Sequence, residues 1–169
     1  MAGFQYRKNL LTKDAPVMLE FIIDNSDTIT IGDAVMLNSD GHAVVATAGE
    51  EVLGIVAGVV SSKGLAIDPD SGTLADYTVD SDNETVDAVK VQVIVDKYSL
   101  FSNDSSGTLA TTNLMQFFDL TSESQIDQSS ASDTTGQFQL ISLDPDGDAD
   151  ASKGLFRIAE SQLDPYAQA

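Results

Sequence analysis

The chain has no cysteine and no tryptophan, a single histidine (His42), and only eight basic residues against twenty-seven acidic ones in a length of 169. Without cysteine, disulfides, thiolate nucleophiles and zinc–thiolate sites are excluded, and the redox compartment is left undetermined. One histidine is too few for a His-based zinc site. A Ser-His-Asp triad would have to recruit His42, which follows the Asp40-Gly41 turn as an ordinary exposed hairpin residue, and no Gly-x-Ser-x-Gly elbow accompanies it. Neither GxxxxGK[ST] nor GxGxxG occurs, so phosphate-cradling loops lack support. These absences point away from an enzyme and away from any cofactor. The scarcity of Lys and Arg argues against nucleic acid as a partner, because phosphate contacts need clustered cations. The longest apolar run, residues 52–60, is far short of the roughly 20 residues that span a bilayer, so a soluble chain with no membrane partner is expected. After Arg7 and Lys8 only Asn9-Leu10-Leu11 precedes Thr12 and Lys13, which is no signal-peptide core, and Sec-type export is not expected.

What the chain does have is a polarised charge. The formal net charge is −19, yet Arg7, Lys8 and Lys13 fall in a first segment with no acid before Asp14. A body this acidic repels anionic partners and its own copies unless something local overcomes the repulsion. An acidic, well-hydrated surface suited to saline surroundings is the bland explanation. The basic, aromatic-bearing segment with Phe4, Tyr6, Arg7, Lys8 and Lys13 is the candidate for a binding element, an extended arm over residues 1–16.

Hydrophobic residues make up 42% of the chain, much of it in β-branched runs, which favours a folded acidic protein over a disordered one. Residues 17–23 read as a strand closed by the Asp24-Asn25-Ser26-Asp27 turn. Asp40-Gly41 between two apolar runs predicts a type I′ hairpin in which Val35 and Leu37 share a face with Val44 and Ala46. Residues 52–60 are apolar on both faces, as in a central strand, with Gly54 and Gly58 allowing a bend or close backbone approach. The clearest period of two lies in residues 86–96, with Val89, Val91, Val93 and Val95 inward and Lys90, Gln92 and Asp96 outward. Further strands are expected over 73–79, 136–143 and 154–159.

The pattern predicts an all-β fold, a small β-barrel or β-sandwich core over 17–101 preceded by the extended N-terminal arm. Residues 102–169 form a C-terminal β extension or second small lobe. It carries one short helix around 113–120, where Leu114, Phe117 and Phe118 have helical spacing, and a mobile loop near 121–135. Asp144, Asp146, Asp148 and Asp150 alternate within residues 144–150. An EF-hand fails there, since its sixth and twelfth positions would be Ala149 and Leu155. A solvated turn is the default, an irregular calcium site the alternative, and no metal ligand is assigned.

The segment Ile31-Gly32-Asp33-Ala34-Val35-Met36-Leu37, then Asp40-Gly41, Ala46-Thr47-Ala48-Gly49-Glu50 and Val52-Leu53-Gly54-Ile55-Val56, resembles a recurring pattern in capsid decoration (cement) and head-stabilisation proteins of tailed bacteriophages. The likeness covers residues 31–60 and the flanks only loosely. It implies a non-enzymatic virion structural protein, assembled in the host cytoplasm, that binds the outside of the capsid and stabilises it. Its partner would be the major capsid protein. It implies a homo-oligomer, a trimer being favoured, and an N-terminal arm that orders on the shell. That role suits Phe4, Tyr6, Arg7, Lys8 and Lys13 as a capsid-binding arm. The alternative is a carbohydrate- or receptor-binding β-sandwich of a virion appendage or extracellular protein. Such modules normally present Trp or Tyr platforms, whereas the four tyrosines here are dispersed at Tyr6, Tyr77, Tyr98 and Tyr166.

Overall fold

The structure, a computed structural model, describes residues 3–11, 15–24, 28–60, 77–78, 90–143 and 152–162. Its strands in chain order are β1 (Gln5–Asn9), β2 (Met18–Ile22), β3 (Thr28–Ile29), β4 (Ala34–Leu37), β5 (Ala43–Val45), β6 (Gly54–Val60), β7 (Tyr77–Thr78), β8 (Lys90–Ile94), β9 (Ser99–Asp104), β10 (Phe117–Phe118), β11 (Leu120–Ser122), β12 (Gln125–Ile126), β13 (Phe138–Leu143) and β14 (Lys153–Ile158). The fold is all-β. No helix among the described residues is long and apolar enough to cross a membrane.

Two five-stranded sheets organise the chain, one in the order β2-β8-β6-β4-β5 and the other β1-β9-β14-β13-β10, with β3-β7 and β11-β12 as small two-stranded additions. Among the described residues all the ladders are antiparallel. The first sheet curls until Ile23 bridges Ala43 in parallel and Asp24 N–H donates to Ala43 O at 3.0 Å, which joins the outer strands at one end. Within this curl Val35, Val56, Val59, Val91 and Val93 are buried together. The inward valines of β8 are those its period of two singles out.

A second core cluster lies between the sheets and inside the second. Phe4, Phe101, Phe118, Phe138 and Phe156 fill it, with Ala34, Ile55 and Ile94 contributed by the first sheet. Strands β4 and β6 therefore send alternate side chains into different cores, Ala34 and Ile55 one way and Val35 and Val56 the other. That is the physical reason both faces of residues 52–60 are apolar. Each fully buried Phe or Leu contributes on the order of 1.5–3 kcal/mol.

The hairpin between β4 and β5 differs from the expected type I′ turn. Gly41 has φ +79, but Asp40 is absent from the positive-φ residues, so the two-residue turn cannot form. Asn38 N–H instead donates to His42 O at 3.0 Å, and Asn38 Oδ1 accepts from Asp40 N–H at 3.0 Å and His42 N–H at 2.9 Å. The loop is three residues long, and the added residue slips the register by one. Val35 pairs with Val45, Met36 with Val44 and Leu37 with Ala43. Because side chains alternate with a period of two, Val44 and Ala46 belong to the opposite face from the one expected.

Two further expectations in the second lobe are corrected. The short helix around 113–120 is found only as one 3-10 turn at Thr111–Asn113, and Phe117–Phe118 is a strand paired with β13. Met115, with φ +69, turns the chain out of helical geometry before the phenylalanines. Residues 121–135, expected as a mobile loop, hold β12, most of β11 and a 3-10 turn at Gln128–Ser130, anchored by fully buried Ile126. Their polar side chains satisfy the backbone: Asp119 N–H donates to Ser130 Oγ at 2.7 Å, and Ser129 N–H to Asp127 Oδ1 at 2.9 Å. Few apolar anchors are needed when turns carry their own hydrogen bonds, so the segment shows no periodicity.

Asp127 caps that 3-10 turn, and hydrogen bonds from the Ser129 hydroxyl and backbone, then from the Ser106 hydroxyl, hold its carboxyl below the usual carboxylate range against a smaller opposing effect of burial. A folded-state value below the unfolded one stabilises the protein above the unfolded pKa of about 3.9, and that contribution is lost as pH falls through the folded value. Asp127→Ala should cost about 1 kcal/mol at pH 7. Urea melts should show the gap between the two proteins closing as the pH is lowered below about 4.

Candidate functional site

Backbone hydrogen bonds bring three separated stretches together at one end of the molecule. Leu10 N–H donates to Tyr98 O at 2.8 Å, and Val95 N–H donates to Val17 O at 3.1 Å. The Asn9 side-chain amide donates to the Asp96 carboxylate, while Leu11 N–H donates to Asn9 Oδ1 at 2.8 Å and Tyr98 N–H to Asp96 Oδ1 at 2.7 Å. Residues 9–11, 17–19 and 95–98 thus form one rim around the β8–β9 connection.

Much of what the rim shows to solvent is apolar. Leu10 is 46% exposed, Leu11 64%, Val17 56%, Met18 46% and Leu19 50%. These five exposed large hydrophobic residues fall in two short stretches of the chain, unlike the scattered single residues normal on a surface, and such concentrations mark interaction sites. Cations border them: Arg7 and Lys8 are exposed on β1, and Lys97 lies over the Tyr98 ring with Nζ 5.3 Å from its centroid. Lys97 also reaches Glu160 at 3.9 Å, an exposed pair worth little by itself.

The first segment is extended, but it is built into the fold. Strand β1 pairs with β9, Gln5 opposite Ser102 and Asn9 opposite Ser99. Phe4, expected as an anchor on a projecting arm, is 3% exposed and stacks on Phe138 with ring centroids 4.6 Å apart. Tyr6 is half-buried, its ring edge-on to Phe101 at 6.3 Å. Burial, and then the negative charge of Asp96, pushes the Tyr6 phenol above its usual value of 10.0. A register shift between Tyr6 and Lys8 bulges the strand at Arg7. Of the five expected arm residues, Arg7 and Lys8 remain as surface cations, Phe4 belongs to the core, Tyr6 packs against it, and Lys13 lies outside the described residues. The aspartates at 144, 146, 148 and 150 lie outside them too.

The amino-acid sequence does not mark Leu10, Leu11, Val17, Met18 and Leu19 as binding residues. The signal for Val17, Met18 and Leu19 is an apolar run without alternation at the start of β2, where a half-buried strand should alternate.

Elsewhere, a polar cleft of about 370 Å³ is lined by Asp119, Thr134, Thr135, Gln137, Ser161 and Gln162 together with glycines, and no aromatic side chain lines it. Its amides are occupied structurally: Gln137 Nε2 donates to Thr47 O and Glu50 O at 2.7 Å each, and Gln162 Oε1 accepts from Val52 N–H at 2.9 Å. These bonds tie the second lobe to the β5–β6 connection. His42 Nδ1 lies 3.4 Å from Asp24 Oδ1, which also accepts from Asn38 Nδ2 at 2.9 Å, so the histidine belongs to the network at the closure of the first sheet. Among the described residues no group of three His, Cys, Asp or Glu could hold a metal ion.

No family model, curated protein or solved structure matches the chain.

Proposed function

We propose that this chain is a non-enzymatic virion structural protein that binds the outside of a phage capsid and stabilises it, with the major capsid protein as its partner. The observation that carries this reading is the rim of Leu10, Leu11, Val17, Met18 and Leu19 bordered by Arg7, Lys8 and Lys97 on a body of net charge −19. A locally apolar, locally cationic patch on an acidic body suits a fixed protein partner with carboxylates around an apolar contact. The resemblance of residues 31–60 to capsid decoration proteins adds to this, and those residues form β4, β5 and β6, of which β4 and β6 send side chains into both cores. The cationic part of the binding element is then a pair of side chains on a paired strand, already held in place, so docking costs little ordering entropy.

The test is co-sedimentation with shells assembled from the major capsid protein of the same genome. The unaltered chain should pellet with expanded shells at about 150 mM salt. Reversing both cations in Arg7→Glu/Lys8→Glu should weaken binding about tenfold, the size of two rim charges changing sign. A chain that stays in the supernatant at every shell concentration would rule the reading out.

A further inference from the structure

The geometry points to a carboxylate-binding site on the outer face of the second sheet, built from Lys8, Lys97 and Arg157, in which the chain's own Glu160 stands where an acidic partner segment would place its side chain. This rests on the partner-binding reading above and names the residues that would receive the partner's carboxylates.

Strand register assembles the site. Lys8 on β1 lies opposite Leu100 on β9, and Phe156 on β14 lies opposite Phe101. Phe101 and Phe156 are in the core, so the next position along each strand, Leu100 and Arg157, belongs to the outer face. Lys8 and Arg157 therefore flank Leu100 on that face, two strand spacings or about 10 Å apart. Lys97 joins them from the β8–β9 connection, because its Nζ and Arg157 Nη1 reach the same Glu160 Oε1, at 3.9 and 3.8 Å. Three of the eight basic residues thus converge on a body of net charge −19.

Arg157 is held in place without being neutralised. Its Nε and Nη2 donate to Gln139 Oε1 at 2.9 and 2.6 Å, while Gln139, 6% exposed, donates from Nε2 to Met115 O at 2.9 Å. A neutral amide orients the guanidinium and leaves its charge for an acceptor at Nη1. Little ordering remains to be done when one arrives.

Glu160 fills that place loosely. Its two contacts are well beyond the roughly 2.8 Å of a charge-assisted hydrogen bond, and its side chain is 61% exposed. Exposed pairs of this kind are weak, so exchanging Glu160 for another carboxylate costs little. A partner carboxylate can close to hydrogen-bonding distance, where Glu160, fixed at the start of the 3-10 turn Glu160–Gln162, does not reach.

Charge selects the occupant. Nucleic acid or an anionic membrane would carry its charge past these three cations and onto the acidic body. A second copy would bring together two bodies of net charge −19. A protein segment with two or three carboxylates matches the cations in number and reach, and beyond a Debye length of about 8 Å salt screens the rest of the body from it.

The test uses the full chain, with the Arg157 Nε–H followed by nuclear magnetic resonance. It is titrated with a blocked hexapeptide of alternating Glu and Ala, and with the same peptide carrying Gln for Glu. The Glu peptide should move the Arg157 signal saturably at low salt, and the Gln peptide should leave it in place. Glu160→Gln should tighten binding of the Glu peptide about threefold by removing the internal competitor, and Lys8→Gln or Lys97→Gln should weaken it by about as much. Glu20→Gln makes the same charge change on the first sheet and should alter affinity far less. All four side chains are exposed, so each variant should fold. No saturable shift, an equal response to the two peptides, or equal effects of Glu160→Gln and Glu20→Gln overturns the inference. Inorganic phosphate binding as tightly as the peptide would assign the site to a free anion, and a shift on raising the protein concentration alone would assign it to a second copy; either result overturns it. Shell binding unaltered by both Glu160→Gln and Lys97→Gln would overturn this inference and leave the capsid reading in place. Absence of shell binding by the unaltered chain would remove the capsid reading while the peptide result stands.

Discussion

Phe4→Ala should destabilise the fold by about 3–5 kcal/mol, the range for emptying a buried phenylalanine site. For a domain of this size each kcal/mol lowers Tm by about 2–4 °C, so a loss of roughly 10 °C is expected in a thermal melt followed by circular dichroism. The cause is local and specific. Phe4 is 3% exposed, stacks on Phe138 at 4.6 Å and meets Phe101 edge-on at 6.3 Å. Phe4 N–H donates to Gly32 O at 2.8 Å, which seats the start of β1 against the loop leading into β4. The residue therefore joins the N-terminal strand, the second-lobe core and the first sheet. A free arm would behave otherwise: Phe4→Ala would leave Tm unchanged and weaken only binding. The same geometry governs any truncation. Deleting residues 1–13 would remove β1 from the edge of β9 and take Phe4 out of the core, so lost capsid binding in that variant would report unfolding as much as a lost contact. Arg7→Glu/Lys8→Glu separates the two, because both side chains are exposed.

Gly54→Ala should be at least as damaging, and Gly58→Ala mild, although the two glycines sit four residues apart on one strand. A methyl group on Gly54 would collide with the Ile94 carbonyl oxygen and with a Val93 side-chain methyl. The carbonyl belongs to the paired strand β8 and cannot move without opening the ladder between β6 and β8, where Ile55 faces Ile94. Overpacking of this kind costs about 1–3 kcal/mol where a core can adjust, and more where the obstacle is backbone. A methyl group on Gly58 would meet only Gln92 Oε1 at 3.1 Å, the end of a flexible side chain, beside the register shift between Val56 and Gly58. Its cost should stay under about 1 kcal/mol, with part of it returned through the smaller entropy of the unfolded chain. Parallel denaturant melts of the two variants would check the contrast; equal midpoints would contradict the close approach of β6 and β8.

Those glycines show how far local reading reaches. Two glycines in an otherwise apolar strand indicate a bend or a close backbone approach, but both signals look alike in one dimension. Pairing with β8 assigns the close approach to Gly54 and the bulge to the neighbourhood of Gly58. Similarly, Asp40-Gly41 marks a hairpin, yet the loop length depends on Asn38, whose side chain accepts two backbone bonds and draws one more residue into the turn. That single residue moved Val44 and Ala46 to the other face. In residues 121–135 the polar composition resembles a loop because Ser, Asp and Gln hydrogen-bond the backbone there, while burial rests on Leu120 and Ile126.

The candidate site was legible only as charge. Arg7 and Lys8 stand out in any reading of this chain, since cations are scarce in it. Phe4 and Tyr6 look like anchors beside them, but an aromatic residue next to two cations carries no mark of whether it faces solvent or a core. The apolar rim was hidden for the opposite reason. Val17, Met18 and Leu19 have the composition of a buried strand, and only the place of β2 at the edge of its sheet leaves them half exposed.

The all-β architecture and its main strands follow from the amino-acid order itself, because strand periodicity and turn chemistry are local. Which strand lies at an edge, which face of β4 or β6 meets which core, and whether the basic first segment projects or packs were decided only by tertiary pairing. Hydrogen-bonding partners and solvent exposure are set by residues distant in the chain, as when Leu10 meets Tyr98 and Val17 meets Val95. Local pattern determines what each segment can be; neighbours supplied by the rest of the fold determine what it shows to a partner.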